Sequence, residues 1–274
     1  MCVPGCHEAV KHHLSRRGLF RGAAAISTAA AFAATAQPDT ARAQATSFSR
    51  VVDLTHTLSP SFPTFTGEPY LKVQQRMFLD QDGYNVFEWT LFEHVGTHLD
   101  APVHFAHNAP SADALAATTL VVPLAVIDVT AQAEADPDYR ILPADIHGWE
   151  SANGPLPDNA CVAMNSGWDR HVATEKFRNM DRQGVMHFPG FHSDTAELLI
   201  AERRVRGIAV DTLSLDHGPS KDFSTHATWL PSGRWGLECV ANLGQCPPKG
   251  ATIVVGGPKI QDATGGPSRV FALV

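Results

Sequence analysis

Charge is scarce in this 274-residue chain: Asp, Glu, Lys and Arg together make up 18% of it. Lys and Arg nowhere gather into a basic patch, and the formal net charge is −7. That combination excludes binding led by the phosphates of a nucleic acid. Five cysteines occur, with no Cys-x-x-Cys pair among them, which argues against a thiolate metal site. Beyond residue 45 there is no membrane-span candidate, no internal repeat and no low-complexity block. Gly256-Gly257-Pro258 lacks the spacing of a dinucleotide loop. Ser166-Gly167-Trp168 lacks the flanks of a serine nucleophile elbow.

What is present begins with 44% hydrophobic residues, enough for one large domain or two small ones with a buried core. The first 45 residues read as a targeting segment. Ser15-Arg16-Arg17 precedes Gly18-Leu19-Phe20, then an alanine-rich run to about Ala36, then small residues at Ala41-Arg42-Ala43 and Ala43-Gln44-Ala45. This is the pattern of a twin-arginine export signal. A membrane anchor is the alternative, but the run is short and alanine only weakly apolar. We expect residues 1–45 to be removed and 46–274 to form a periplasmic domain with no membrane anchor. Removal takes away five basic and two acidic residues, so the mature chain is more acidic still. It leaves Cys161, Cys239 and Cys246, expected as small buried hydrophobes rather than ligands. Whether Cys239 and Cys246 pair stays open, although the exported compartment permits disulfides.

Strand signals dominate the mature chain. They cover 51–54, 84–92, 121–129, 161–168, 207–215, 251–257 and 268–274. The best helix signal is Ser193 to Arg204, capped by Ser193 or Asp194 with basic residues in its last turn. Pro-rich SPSFPTFTGEP (59–69) reads as an ordered loop or flap. The expectation is one α/β domain, strand-rich, with long structured loops.

The densest chemistry lies in HVGTHLDAPVH, 94–104. On a helix Asp100 would point away from His94, and Gly96, Thr97 and Pro102 are poor helix interior. In extended chain His94, Gly96, His98, Asp100, Pro102 and His104 share one side. A straight strand would still separate His94 from Asp100 by about 20 Å, whereas metal ligands lie within about 2–2.2 Å of the ion. The chain must therefore curl. Gly96 permits the bend and Pro102 can fix a turn after Asp100. Two imidazoles and a carboxylate suit Zn, Mn or Fe, with a position left open for water.

HVGTHLDAPVH resembles the HxGTHxDxPxH signature of the cyclase-like metal-dependent hydrolases, a family that includes kynurenine formamidase and isatin hydrolase. Other stretches are similar too: VVDLTHTLSPSFPTFTGEP at the start, HFPGF (187–191), GIAVDTLSLDHG (207–218), and the block from His226 through Glu238 to Asn242-Leu243. The resemblance implies a swivelling β/β/α domain in dimers or larger oligomers. It implies that His94, His98 and Asp100 bind a first metal and that His104 is the catalytic acid/base. It implies that His226 and Glu238 complete a second site bridged by Asp100. Zn or Mn, one or two ions, is the implied cofactor.

One departure is informative. Formamidases of the family carry Trp in a Pro-x-Trp-x-Gly loop, and here Pro63-Thr64-Phe65-Thr66-Gly67 carries Phe65. Phe keeps an apolar face but loses the indole N–H. Phe65 and Phe62 are the expected substrate contacts. Thr97 is a candidate to support a ligand carboxylate. Asp216 and His217 read as a turn Asp and its partner, and Trp229 and Trp235 as core or interface.

The function expected is hydrolysis of an amide, formamide or lactam in a small molecule by metal-activated water. His104, with a pKa near the ordinary value of about 6.5, would carry the protons. A lactone hydrolase or dehydrating cyclase on the same scaffold, or a non-catalytic periplasmic binding protein, are the alternatives.

Overall fold

The computed structural model describes residues 47–274, and the expected export signal and its boundary lie outside the described residues. Thirteen strands are found there: β1 (Val51–Asp53), β2 (Leu71–Met77), β3 (Val86–Leu91), β4 (His98–Asp100), β5 (Val121–Asp128), β6 (Arg140–Ile141), β7 (Cys161–Asn165), β8 (Gly190–Phe191), β9 (Gly207–Val210), β10 (Trp235–Glu238), β11 (Ala251–Gly256), β12 (Gly265–Pro267) and β13 (Arg269–Leu273). Five helices join them: α1 (Leu79–Asp82), α2 (Thr130–Ala135), α3 (Pro143–Asn153), α4 (Ser193–Glu202) and α5 (Ser224–Trp229). None is long and apolar enough to cross a membrane.

Nine strands form one sheet in the order β1-β13-β11-β5-β7-β9-β10-β4-β12. Its centre, β5-β7-β9-β10, is parallel, and its flanks are antiparallel. Parallel strands are covered on both faces and read as continuous apolar runs, as β5, β7 and β9 do. Alternate side chains then divide between two cores. Leu124, Val126, Cys161, Ala163 and Ala209 pack with Ile253 and Val270. Ala125, Ile127, Val162, Met164, Ile208 and Val210 face the other way, onto Ile146 and Trp149 of α3 and Leu199 of α4. The strand-rich α/β expectation holds.

Differences from expectation have local causes. The strand from Gly207 stops at Val210 rather than Leu215. There the buried Asp211 carboxylate accepts the backbone N–H groups of Ser166 and Trp168, both at 3.0 Å, so side-chain bonds replace the ladder on the β7 side. Helix α4 ends at Glu202 and is capped by His192, whose Nδ1 accepts the Asp194 N–H at 3.1 Å. Arg203 and Arg204 lie past its end, on Glu150 and Asp158. Helix α3 gave little sequence signal because only Ile146 and Trp149 of its eleven residues are buried. Trp229 and Trp235 are core, and Cys161, Cys239 and Cys246 are free thiols.

Strands β2 and β3 form a separate antiparallel hairpin. Leu71 is buried, but most of the hairpin's other apolar side chains stay exposed, with Trp89 at 69%, Phe87 at 51% and Phe92, just past its end, at 65%.

Candidate metal centre and active site

The stretch 94–104 is not one extended strand. Gly96 adopts φ +66, a left-handed conformation that glycine takes without penalty, and the chain bends there. Strand β4 follows, so His98 and Asp100 share one face while Leu99 enters the core. Pro102 then opens a 3₁₀ turn ending at His104. The turn folds the chain back, and the His104 ring stacks on His94 with centroids 3.9 Å apart.

The late block arrives from two other elements. Strand β10 pairs with β4 so that Glu238 stands opposite His98. His98 Nε2 lies 3.3 Å from Asp100 Oδ1 and 3.3 Å from Glu238 Oε2. Helix α5 brings His226, whose Nε2 is 3.1 Å from Glu238 Oε1 and 3.5 Å from Asp100 Oδ2. His94 Nδ1 stands 2.7 Å from the other Asp100 oxygen, Oδ1. The structure thus gathers His94, His98, His226 and Glu238 about the Asp100 carboxylate, with ligand atoms converging in two groups that share Asp100: His94 and His104 on one side, His98 and Glu238 on the other.

The far nitrogens of two rings are already occupied. His98 Nδ1–H donates to the Gly96 carbonyl at 2.8 Å, which leaves the Nε2 lone pair facing inward. His226 Nδ1–H donates to Asp216 at 2.6 Å, with the same result. Asp216 also accepts the N–H groups of Thr225 and His226, at 2.8 and 3.2 Å, and so holds the start of α5. A turn Asp in the sequence is here the orienting carboxylate of a ligand histidine. Thr97 plays another part than expected: its hydroxyl donates to the Cys239 carbonyl and accepts the His56 N–H, touching no ligand carboxylate.

His98, Asp100, His226 and Glu238 are all buried. Burial opposes every charge among them, yet proximity wins. Asp100 is held well below the usual carboxylate range despite burial, because three imidazoles surround it. His98 overcomes burial through Asp100 and Glu238, which push it up to about 10, and His226 is raised for the same reason. The cluster therefore demands buried positive charge at its centre, which protons or a divalent cation can supply. His98 Nε2 and Asp100 Oδ2 are buried with no hydrogen-bond partner. Unpaired inward-facing donors of the N/O set that Zn and Mn accept fit a cation there. His104 differs from expectation: burial, with help from His94 and His226, pushes its pKa down to about 4.

Beside the cluster opens a cavity of about 290 Å³. Phe65, Tyr70, Phe105 and Phe223 supply its aromatic wall. Phe65 was expected there. Phe62 was too, but it is only 7% exposed and packs under the loop against Phe177 and His56, away from this cavity. Phe223 takes its place, 5.9 Å from Phe65 and 6.2 Å from Phe105. It holds a left-handed φ of +50 just before α5, a conformation that no local sequence pattern announces. No Lys or Arg lines the cavity among the described residues.

With this geometry in hand, comparison with known proteins is informative. A family model described as "Putative cyclase" matches residues 52–217. Isatin hydrolase of Roseibium aggregatum is 31% identical, over 82% of this chain and 91% of that protein. Kynurenine formamidase of Bordetella pertussis is 30% identical over 65% of this chain and 76% of its own. A crystal structure of an isatin hydrolase bound to the product analogue thioisatinate superposes with a TM-score of 0.76 at 30% identity, covering 82% of this chain and 92% of that one. His226 and Glu238 fall outside the span of the family model but take part in the same cluster as His98 and Asp100, which lie within it. By the extent of these matches, the chain belongs to the cyclase family of hydrolases.

Proposed function

We propose that this protein is a metal-dependent hydrolase of carbon–nitrogen bonds other than peptide bonds, opening a neutral aryl amide or lactam. The carrying observation is the convergence of three imidazoles on the two oxygens of Asp100, with Glu238 against two of those rings and inward nitrogen and oxygen atoms left unpaired. His94, His98, Asp100, His226 and Glu238 would hold the ion or ions, Zn or Mn. When bound, such a cation polarises a carbonyl and lowers the pKa of a water toward about 7.

The chain's own groups do the rest. His104 is neutral at pH 7, since its pKa is pushed down to about 4, so its ring can accept the proton of the attacking water. Once protonated it is a stronger acid than an ordinary imidazolium, and it returns that proton to the departing nitrogen. Lactam opening then yields a carboxylate and an amine. Phe65, Phe105, Phe223 and Tyr70 hold the substrate ring and exclude bulk water.

The wall also favours one substrate over another. A cavity at the small end of the usual range of about 300–1,000 Å³ suits a compact ring system. With no Lys or Arg in its lining, it offers no ammonium or guanidinium to pair the amino-acid carboxylate of N-formylkynurenine. Isatin, the substrate named for the Roseibium relative, is neutral and bicyclic. The test is kcat/KM on isatin, formanilide, N-formylkynurenine and a lactone. The highest value on isatin or another neutral aryl lactam supports this reading. The highest on N-formylkynurenine would make the protein a formamidase, and the highest on the lactone would make it an esterase-like hydrolase.

Two settings complete the proposal. The twin-arginine pattern of residues 15–20 supports export to the periplasm. A second copy of this chain supports itself on the β2–β3 hairpin. Trp89, Phe87, Phe92 and Tyr84 are each at least half exposed. Phe87, Trp89 and Leu91 alternate onto one face of β3, with Val73 paired to Trp89, and one sheet face can pack on its own copy about a two-fold axis. Sedimentation of the wild type and of Trp89→Glu tests it: a dimer or larger that the variant breaks is expected, and a monomeric wild type overturns it.

A further inference from the structure

His94 is the least supported of the clustered side chains. It sits in the bend before Gly96, outside any strand, and its side chain is 26% exposed while those of His98 and His226 are 4% and 5% exposed. Something other than a ladder must hold its ring.

The holder comes from 170 residues away. Thr264 Oγ1 lies 2.9 Å from His94 Nε2. The same hydroxyl makes a short hydrogen bond to Glu93 Oε2. The Thr264 backbone N–H also donates to Glu93, at 3.3 and 3.2 Å from its two oxygens. A hydroxyl has one proton to give. A carboxylate only accepts, and is the stronger acceptor of the two neighbours. The Thr264 proton therefore goes to Glu93. Its oxygen is left to accept, so His94 Nε2 must carry the hydrogen. Nδ1 is on the inward side, 2.7 Å from Asp100 Oδ1, and with Nε2 carrying the ring hydrogen these two acceptors can share that approach only with a cation or a second proton at Nδ1.

Next to Thr264, Gly265 makes room for the ring. A Cβ at Gly265 would stand 2.7 Å from His94 Cε1 and 2.3 Å from the Leu99 carbonyl oxygen. Strand β12 pairs Gly265 with Asp100, so the segment that holds His94 is bonded to the strand that carries Asp100.

We propose that Glu93 and Thr264 are positioning residues that fix the Nε2–H form of His94 and present its Nδ1 as a metal ligand. His94 is thereby the opposite of His98 and His226, which present Nε2 because their Nδ1–H groups are engaged. The inference rests on the metal-centre reading above, and its test separates the two.

The experiment measures Zn affinity by chelator competition, and the His94 ring tautomer by ¹⁵N NMR, in the full folded domain. Thr264→Val keeps the shape and removes the hydroxyl; Thr264→Ser restores it; His98→Ala is the control for the centre itself. Expected is a wild type that binds Zn, a Thr264→Val variant weaker by roughly 10–100-fold, and recovery in Thr264→Ser. The ring signal should report Nε2–H in the wild type and lose that preference in Thr264→Val. A Thr264→Val variant with wild-type affinity and tautomer overturns the role of Thr264 while the metal centre stands. A wild type that binds Zn no better than His98→Ala overturns the centre, and the relay with it. If Thr264→Val fails to fold, Glu93→Gln is read in its place, and unchanged affinity and tautomer there count against the relay.

Discussion

Asp216 holds His226 in a hydrogen bond of 2.6 Å while the opposite nitrogen of that ring points at Asp100 and Glu238. The carboxylate fixes the ring and anchors the start of α5 together. Asp216→Asn removes the charge and can place an amide N–H against Nδ1, reversing the ring's donor pattern. Metal affinity should fall by about 10–100-fold, the usual worth of such support. Equilibrium dialysis against Zn or Mn measures it, and an unchanged affinity would show that α5 alone positions His226.

His104 and His98 should separate cleanly. His104→Ala is expected to keep its metal and lose about 10²–10⁴ in kcat, as for a positioned acid/base. His98→Ala should lose both. The donor atoms of His94, Asp100 and His104 lie within 4.8 Å of one another, so the rival outcome is concrete: metal lost from His104→Ala would make His104 a ligand.

Why one half of this site can be read in the sequence and the other cannot follows from distance along the chain. His94, His98, Asp100 and His104 fall within eleven residues because one glycine bend and one proline turn suffice to gather them. His226 and Glu238 need the pairing of β10 with β4 and the docking of α5, so only family resemblance pointed to them. Thr264 carries no pattern at all, and Asp216, although it lies in a stretch similar to the family and reads as a turn Asp, shows its role only once His226 is in place. Phe62 and Phe65 look alike in the loop, and packing sends one under it and the other into the cavity. The strands were legible where both faces are buried, as in β5 and β7, and α3 was not because its apolar face is two residues wide.

Outside the site, His187 bridges Asp138 at 2.8 Å and Asp181 at 3.4 Å. The hydrogen bond to Asp138, followed by that to Asp181, raises its pKa above the ordinary value despite some burial. A group raised in the folded state adds stability in full below its unfolded pKa of about 6.5, and loses it as pH climbs through the raised value. The side chains are about a third exposed, so the effect is small, under about 1 kcal/mol. Thermal unfolding of the metal-free domain from pH 5 to 9 should show that loss in the wild type and a flatter profile in His187→Gln. Identical profiles would mean that the bridge adds nothing.

The most direct test of the central claim is turnover of isatin before and after the metal is stripped. The purified domain should open isatin with kcat/KM above about 10⁴ M⁻¹s⁻¹, inside the normal enzyme range. Chelation should abolish that activity and Zn or Mn should restore it, with Asp100→Ala inert in either state. Isatin opening that survives complete removal of metal, or no opening of any aryl amide or lactam by the metal-loaded protein, would contradict the account.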